Sequence, residues 1–172
     1  QPRHQTGRVD IFDALLERAR PPLVGLYCNL MTKFNVLEMI QSCRRVGAYV
    51  ALGGPEPPPY AEEYLARGAD VIVIGEGERT LEELMPHLIA YGTRHLEHVQ
   101  GIAYRHEDGR VVRTAPRPYI PNLDALPLPD RDAIDLSQYI AAWRQRHGVG
   151  SVSLICARGC PYHCAWCSHS VF

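Results

Sequence analysis

The apolar positions of this chain fall into short blocks whose period switches between that of a helix and that of a strand. Ile11, Phe12, Leu15, Leu16 and Ala19 recur at helical spacing, Asp10 is placed to cap them, and Pro21-Pro22 must end the helix. Leu23 to Tyr27 is the apolar run of a strand. Thr32 to Val46 reads as a helix with Phe34, Leu37, Ile40 and Cys43 on one side and Gly47 as its stop. Ala48 to Leu52 is the next strand. Gly53-Gly54 then turns the chain, Pro55, Pro57, Pro58 and Pro59 stiffen the loop, and a short helix over Tyr60 to Arg67 ends at Gly68. Val71-Ile72-Val73-Ile74 is apolar on both faces, the pattern of a parallel strand covered by helices on each side.

After Gly75-Glu76-Gly77-Glu78, Thr80 and Glu83 form a capping box ahead of the stripe Leu81, Leu84, Met85, Leu88 and Ile89. Pro86 conflicts with this helix: an interior proline costs about 3 kcal/mol, so a kink or a later first turn is expected. The alternation of strands and helices defines an α/β fold, a doubly wound parallel sheet, whose ligands sit beyond the carboxyl ends of the strands. Those ends are Cys28-Asn29-Leu30, Gly53-Gly54 and Gly75-Glu76-Gly77. Gly101 to Arg105 and Val111 to Thr114 flank Glu107-Asp108-Gly109 and predict a β-hairpin appendage. Pro116, Pro118, Pro121, Pro127 and Pro129 space an extended connector, Asp135 to Arg146 reads as a short helix, and Ser151 to Ile155 as a fresh strand. The division this predicts is residues 1–98 as the sheet domain, 99–150 as hairpin and connector, and 151–172 as the opening of another domain.

Composition supports a packed core, with 46% hydrophobic residues in a chain of 172. Eighteen basic against nineteen acidic side chains leave a formal net charge of -1, which argues against nucleic acid or an anionic membrane and for a small-molecule partner. No apolar run approaches the roughly 20 residues of a membrane span, and no basic-then-apolar leader opens the chain, so a cytoplasmic protein is expected. Gln1 in place of methionine and the ending at Ser170-Val171-Phe172 are what a piece of a longer chain would show.

The chemistry concentrates at the end. Six cysteines in a cytosolic chain argue for metal over disulfides, and Cys156, Cys160, Cys164 and Cys167 crowd one short segment. Cys160, Cys164 and Cys167 stand in C-x3-C-x2-C spacing on a loop opened by Arg158-Gly159 and bent by Pro161. Three thiolates on such a loop can bind three irons of a cubane and leave the fourth open. The competing reading is a structural zinc site, with Cys156, His163 or His169 completing the set; zinc ligands, however, usually come as two separated pairs. Cys156, at the strand end before the motif, reads as a buried thiol.

This loop resembles the signature of the radical S-adenosylmethionine superfamily, with Trp166 at the aromatic position before the third cysteine. The resemblance implies a [4Fe-4S] cluster on Cys160, Cys164 and Cys167 and S-adenosylmethionine chelating the open iron, its adenine side against Trp166. Reductive cleavage would then yield a 5'-deoxyadenosyl radical, fed by an external electron donor such as flavodoxin or ferredoxin. Ser151 to Ile155 would be the first strand of that family's (β/α) barrel.

The segment from Leu23 to Leu88 resembles the cobalamin-binding domain that precedes the radical domain in one group of the superfamily, through Gly53-Gly54-Pro55-Glu56 and Gly75-Glu76-Gly77-Glu78-Arg79-Thr80. Leu123-Asp124-Ala125-Leu126-Pro127-Leu128-Pro129 matches the group's connector. The resemblance implies cobalamin held by Cys28, Asn29, Leu30, Gly53, Gly54, Gly75, Glu76 and Gly77, and a domain whose first strand would precede Gln1. The long-studied cobalamin pattern of Asp-x-His-x-x-Gly, Ser-x-Leu and Gly-Gly is matched only in part: Cys28 replaces the serine, and His4-Gln5-Thr6-Gly7 follows Pro2 where an aspartate is expected. Cobalt ligation by His4 is therefore not expected. The activity implied is methyl transfer to an unactivated carbon or phosphorus; the alternatives are a non-methylating member such as an anaerobic oxidative cyclase, and a non-catalytic corrinoid module with a zinc staple.

Overall fold

The computed structural model describes residues 6–155 and Arg158. Up to Tyr119 these form one compact unit, and from Ile120 a second. The first unit holds helices α1 (Thr6–Ala19), α2 (Lys33–Val46), α3 (Ala61–Ala66) and α4 (Gly77–Tyr91) and strands β1 (Leu23–Tyr27), β2 (Tyr49–Gly53), β3 (Val71–Val73), β4 (Ile102–Arg105) and β5 (Val111–Arg113). The second holds a short 3-10 turn (Leu123–Ala125) and α5 (Leu136–His147).

One mixed five-stranded sheet runs in the order β1-β2-β3-β4-β5, and β1, β2 and β3 are parallel neighbours, with Leu23 opposite Tyr49 and Ala51 opposite Val71. Alternation along each strand sorts side chains onto two faces. Val50, Leu52, Ile72 and Ala103 meet Leu16, Val36, Ile40, Cys43 and Tyr64 from α1, α2 and α3 on one face. Ala51, Val71, Val73, Ile102 and Tyr104 meet Leu84 and Leu88 of α4, with Leu96 and Val99, on the other. The sheet is thus covered on both sides, as the doubly apolar β3 requires.

Several expectations are corrected. α1 begins at Thr6, so Asp10 lies inside it and does not cap it, in spite of Gly7 in the first turn. Phe34 lies out in solvent, and the buried side of α2 is Val36, Ile40, Ser42 and Cys43. α4 begins before the capping box rather than after it: Gly75 turns with φ 80°, Glu76 is the N-cap, and Thr80 sits buried in the helix with its hydroxyl donating to the Gln100 carbonyl at 3.5 Å. Pro86 is accommodated in the helix interior. The hairpin is not an appendage, because β4 pairs antiparallel with β3, Ile72 opposite Ala103, and extends the main sheet. Ser151 to Ile155 is no strand: no described strand pairs with it, the Arg131 guanidinium donates to its Ser153 carbonyl at 3.0 Å, and Val152, Leu154 and Ile155 are exposed. In the same unit, α5 forms as expected, the Asp135 carboxylate accepting from the Ser137 N–H at 3.0 Å.

Candidate functional site

Because β1, β2 and β3 are parallel, the turns after them share one edge of the sheet. The first two turns are stitched together. The Cys28 N–H donates to the Gly53 carbonyl at 2.8 Å, carrying the ladder one residue past β1, and the Glu56 N–H donates back to the Cys28 carbonyl at 3.4 Å. Gly54 makes this approach feasible: its φ is 101°, and a Cβ there would lie 2.3 Å from the Cys28 carbonyl oxygen. The third turn differs. Gly75 has a left-handed φ but open space where a Cβ would stand, and Gly53 has open space with an ordinary φ. At Gly77 a Cβ would make only ordinary contacts, 3.7 Å from Leu81 Cδ1 and 3.8 Å from Val73 Cγ1.

The non-glycine residues divide by where their side chains go. The Cys28 thiol is fully buried, its Sγ 3.4 Å from the Tyr64 hydroxyl, and burial pushes its pKa up, as it does that of Tyr64. What Cys28 offers at the edge is its backbone. Asn29 spends its side-chain oxygen on its own turn, accepting from the Met31 and Thr32 N–H groups at 3.0 Å each, which opens α2. Leu30 and Met31 stand out from that turn, 71% and 89% exposed. With Tyr27 and Phe34, also exposed, they give the mouth of the edge an apolar rim.

Two residues to which the sequence assigns no role, Lys33 and Glu56, tie this edge together. Lys33, the first residue of α2, bonds Glu56 of the loop after β2 at 2.8 Å, and its ammonium lies 4.8 Å from the Tyr60 ring centroid. Opposite charges 23 positions apart carry no signal in a single sequence. The N-x-x-T spacing of Asn29 and Thr32, by contrast, is a readable turn signal.

Cys156, Cys160, Cys164, Cys167, Trp166, His163, His169 and His4 lie outside the described residues. Among the described residues no group of three or more His, Cys, Asp or Glu side chains is placed to hold a metal ion. The other free cysteine of the described chain, Cys43, is buried in the core, its pKa pushed up to about 11 by burial. Two clefts around Arg44, Asp70, His106 and Glu107 open on the opposite edge of the sheet, away from all three glycine turns.

Comparison with known proteins places the edge in a family. Residues 4–85, which hold all three turns, match the model of the B12 binding domain. An uncharacterized methyltransferase of Pyrococcus horikoshii is 29% identical over 162 residues, 91% of this chain and 33% of that protein. An anaerobic magnesium-protoporphyrin IX monomethyl ester cyclase of Rubrivivax gelatinosus is 35% identical over 160 residues, 89% of this chain and 28% of that one. The chain thus spans a third or less of these curated relatives. The radical S-adenosylmethionine methyltransferase TsrM of Kitasatospora setae, solved with cobalamin and a [4Fe-4S] cluster bound, superposes with a TM-score of 0.51 at 26% identity, over 69% of this chain and 23% of that one. The chain therefore carries a cobalamin-binding domain related to that of cobalamin-dependent radical S-adenosylmethionine enzymes.

Proposed function

We propose that the glycine edge receives cobalamin for a radical S-adenosylmethionine enzyme that transfers a methyl group to an unactivated carbon or phosphorus of a small-molecule substrate. The observation that carries the cofactor reading is the open space before Gly53 and Gly75, on the shared edge of a matched B12 binding domain. A side chain at either place would project into the open side of that edge. Backbone groups of Gly53-Gly54 and Gly75-Glu76-Gly77 would hold the nucleotide tail, with Cys28 and Asn29 contributing main chain and Leu30 apolar surface at the rim. Bound there, cobalamin supplies a carrier for the methyl group.

The second half of the proposal rests on sequence. Cys160, Cys164 and Cys167 would hold a [4Fe-4S] cluster, Trp166 would lie against S-adenosylmethionine, and flavodoxin or ferredoxin would deliver the electron. Cytoplasmic residence belongs to the same reading, and among the described residues no helix is long and apolar enough to cross a membrane. The 35% identity to the Rubrivivax gelatinosus cyclase favours a second reading, a non-methylating member in which the same cofactors serve an oxidative cyclisation.

The test is anaerobic purification of the full-length protein with iron, sulfide and hydroxocobalamin. One equivalent of retained cobalamin and a [4Fe-4S] spectrum lost in Cys160→Ala are expected, followed by methylated product on turnover. Protein that retains no cobalamin would defeat the reading; 5'-deoxyadenosine formed with an unmethylated product would select the cyclase-like alternative.

A further inference from the structure

We propose that the Lys33–Glu56 ion pair is a clasp that sets the position of the glycine-proline loop, residues 53–59, and so the shape of the cofactor edge. Lys33 and Glu56 are thereby positioning residues; the inference rests on the reading of that edge as a cobalamin site. Four prolines, Pro55, Pro57, Pro58 and Pro59, deprive the loop of backbone donors, so it cannot knit itself together. Its main-chain ties are, at the entry, the Cys28 N–H to the Gly53 carbonyl at 2.8 Å, then the Glu56 N–H to the Cys28 carbonyl at 3.4 Å and, at the exit, the Tyr60 N–H to the Pro57 carbonyl at 3.1 Å. Arg113 of β5 adds a bond to the Pro58 carbonyl at 2.6 Å, from an exposed position.

Among these ties the Lys33–Glu56 bond, at 2.8 Å, is the one with a charge on both partners. It spans the two turns that build the site, since Lys33 opens the helix after the Cys28-Asn29-Leu30 turn and Glu56 follows Gly53-Gly54. It is also sheltered: the side chains are 25% and 11% exposed, and the ammonium lies 4.8 Å from the ring of Tyr60 and 5.7 Å from that of Tyr64. An ion pair of two waving surface side chains contributes little, whereas one held between aromatic rings keeps its geometry. Tyr64 also carries the contact to the Cys28 thiol, so the same ring braces both turns.

The experiment uses the full-length protein with Lys33→Met, Glu56→Gln and the double variant, in two measurements. Hydroxocobalamin titration should show each single variant binding about tenfold more weakly, the size of one charge-assisted hydrogen bond, and the double variant no weaker than either single. Hydrogen exchange of the cofactor-free variants should speed up at Gly54, Glu56 and Tyr60 while β1, β2 and β3 keep their protection. Unchanged affinity, additive losses in the double variant, or faster exchange across the whole sheet would each overturn the clasp. Wild type that fails to bind hydroxocobalamin would bring down the cofactor reading and the clasp with it; wild type that binds beside variants that bind equally well would bring down the clasp alone.

Discussion

At the scale of single residues, adjacent glycines do different jobs. Gly54 is a demand of the fold, because its left-handed φ and the Cys28 carbonyl 2.3 Å from a hypothetical Cβ leave no room for a side chain. Gly53 answers no such demand. Gly54→Ala should therefore lower unfolding free energy in urea by at least about 1–2 kcal/mol, the cost of an L-residue in that conformation, with carbonyl displacement added. Gly53→Ala should stay within about 1 kcal/mol of wild type yet weaken cobalamin binding, since its methyl group enters the open side. Equal destabilisation of the two variants would show that their backbone roles had been misassigned. The sequence marks Gly53 and Gly54 alike as turn residues and possesses nothing that separates them; only the register against β1 does. The same holds for Cys28, which sits in a site motif yet turns its thiol to Tyr64 and the core.

At the scale of elements, what was legible was whatever a short window specifies. The apolar run of β1 and the Gly47 stop of α2, a left-handed cap at φ 77°, are local and match the fold. What failed depends on distant partners. The Thr80–Glu83 box is a sound local signal that loses to the turn at Gly75, because Thr80 is buried against the Gln100 carbonyl. The hairpin was found, but its pairing with β3 is a long-range choice no turn signal encodes. Asp70 shows such a tie in miniature: just before β3, its carboxylate accepts from the β2 Val50 N–H at 2.7 Å and pairs with Arg44 at 3.2 Å. Asp70→Ala strands that N–H and should cost about 1–3 kcal/mol, while Asp70→Asn keeps an acceptor and should cost less. Burial is the largest influence on Asp70 and raises its pKa against the lowering by Val50 and Arg44. A raised carboxyl pKa means the folded state binds the proton more tightly, so this contribution is fullest below the unfolded value, about 4, and is lost as pH rises through the folded value. Wild-type stability should accordingly fall relative to Asp70→Asn on going from below pH 4 to neutral; a rise across that window would contradict the sign.

At the scale of the whole molecule, both core clusters are drawn from residues up to Val112, and no described residue from Ile120 onward is buried. The helices that cover the sheet, α1 to α4, lie in the same stretch, so among the described residues the hydrophobic core of this unit draws on neither α5 nor the connector. A chain ending at Tyr119 should thus unfold in a single cooperative transition with a Tm within a few degrees of that of the 172-residue chain. It also keeps all three glycine turns, so the edge assigned to cobalamin goes with it. A ligand that binds only the folded state at a hundred times its Kd adds about 2.7 kcal/mol, and each kcal/mol moves the Tm of a domain near this size by about 4–8 °C. Hydroxocobalamin in that excess should raise the Tm of the shortened chain by about 10 °C or more. A shortened chain that melts without cooperativity would show that residues beyond Tyr119 complete the core. One that melts normally but gains nothing from hydroxocobalamin would show that the fold ends at Tyr119 while the cofactor site does not.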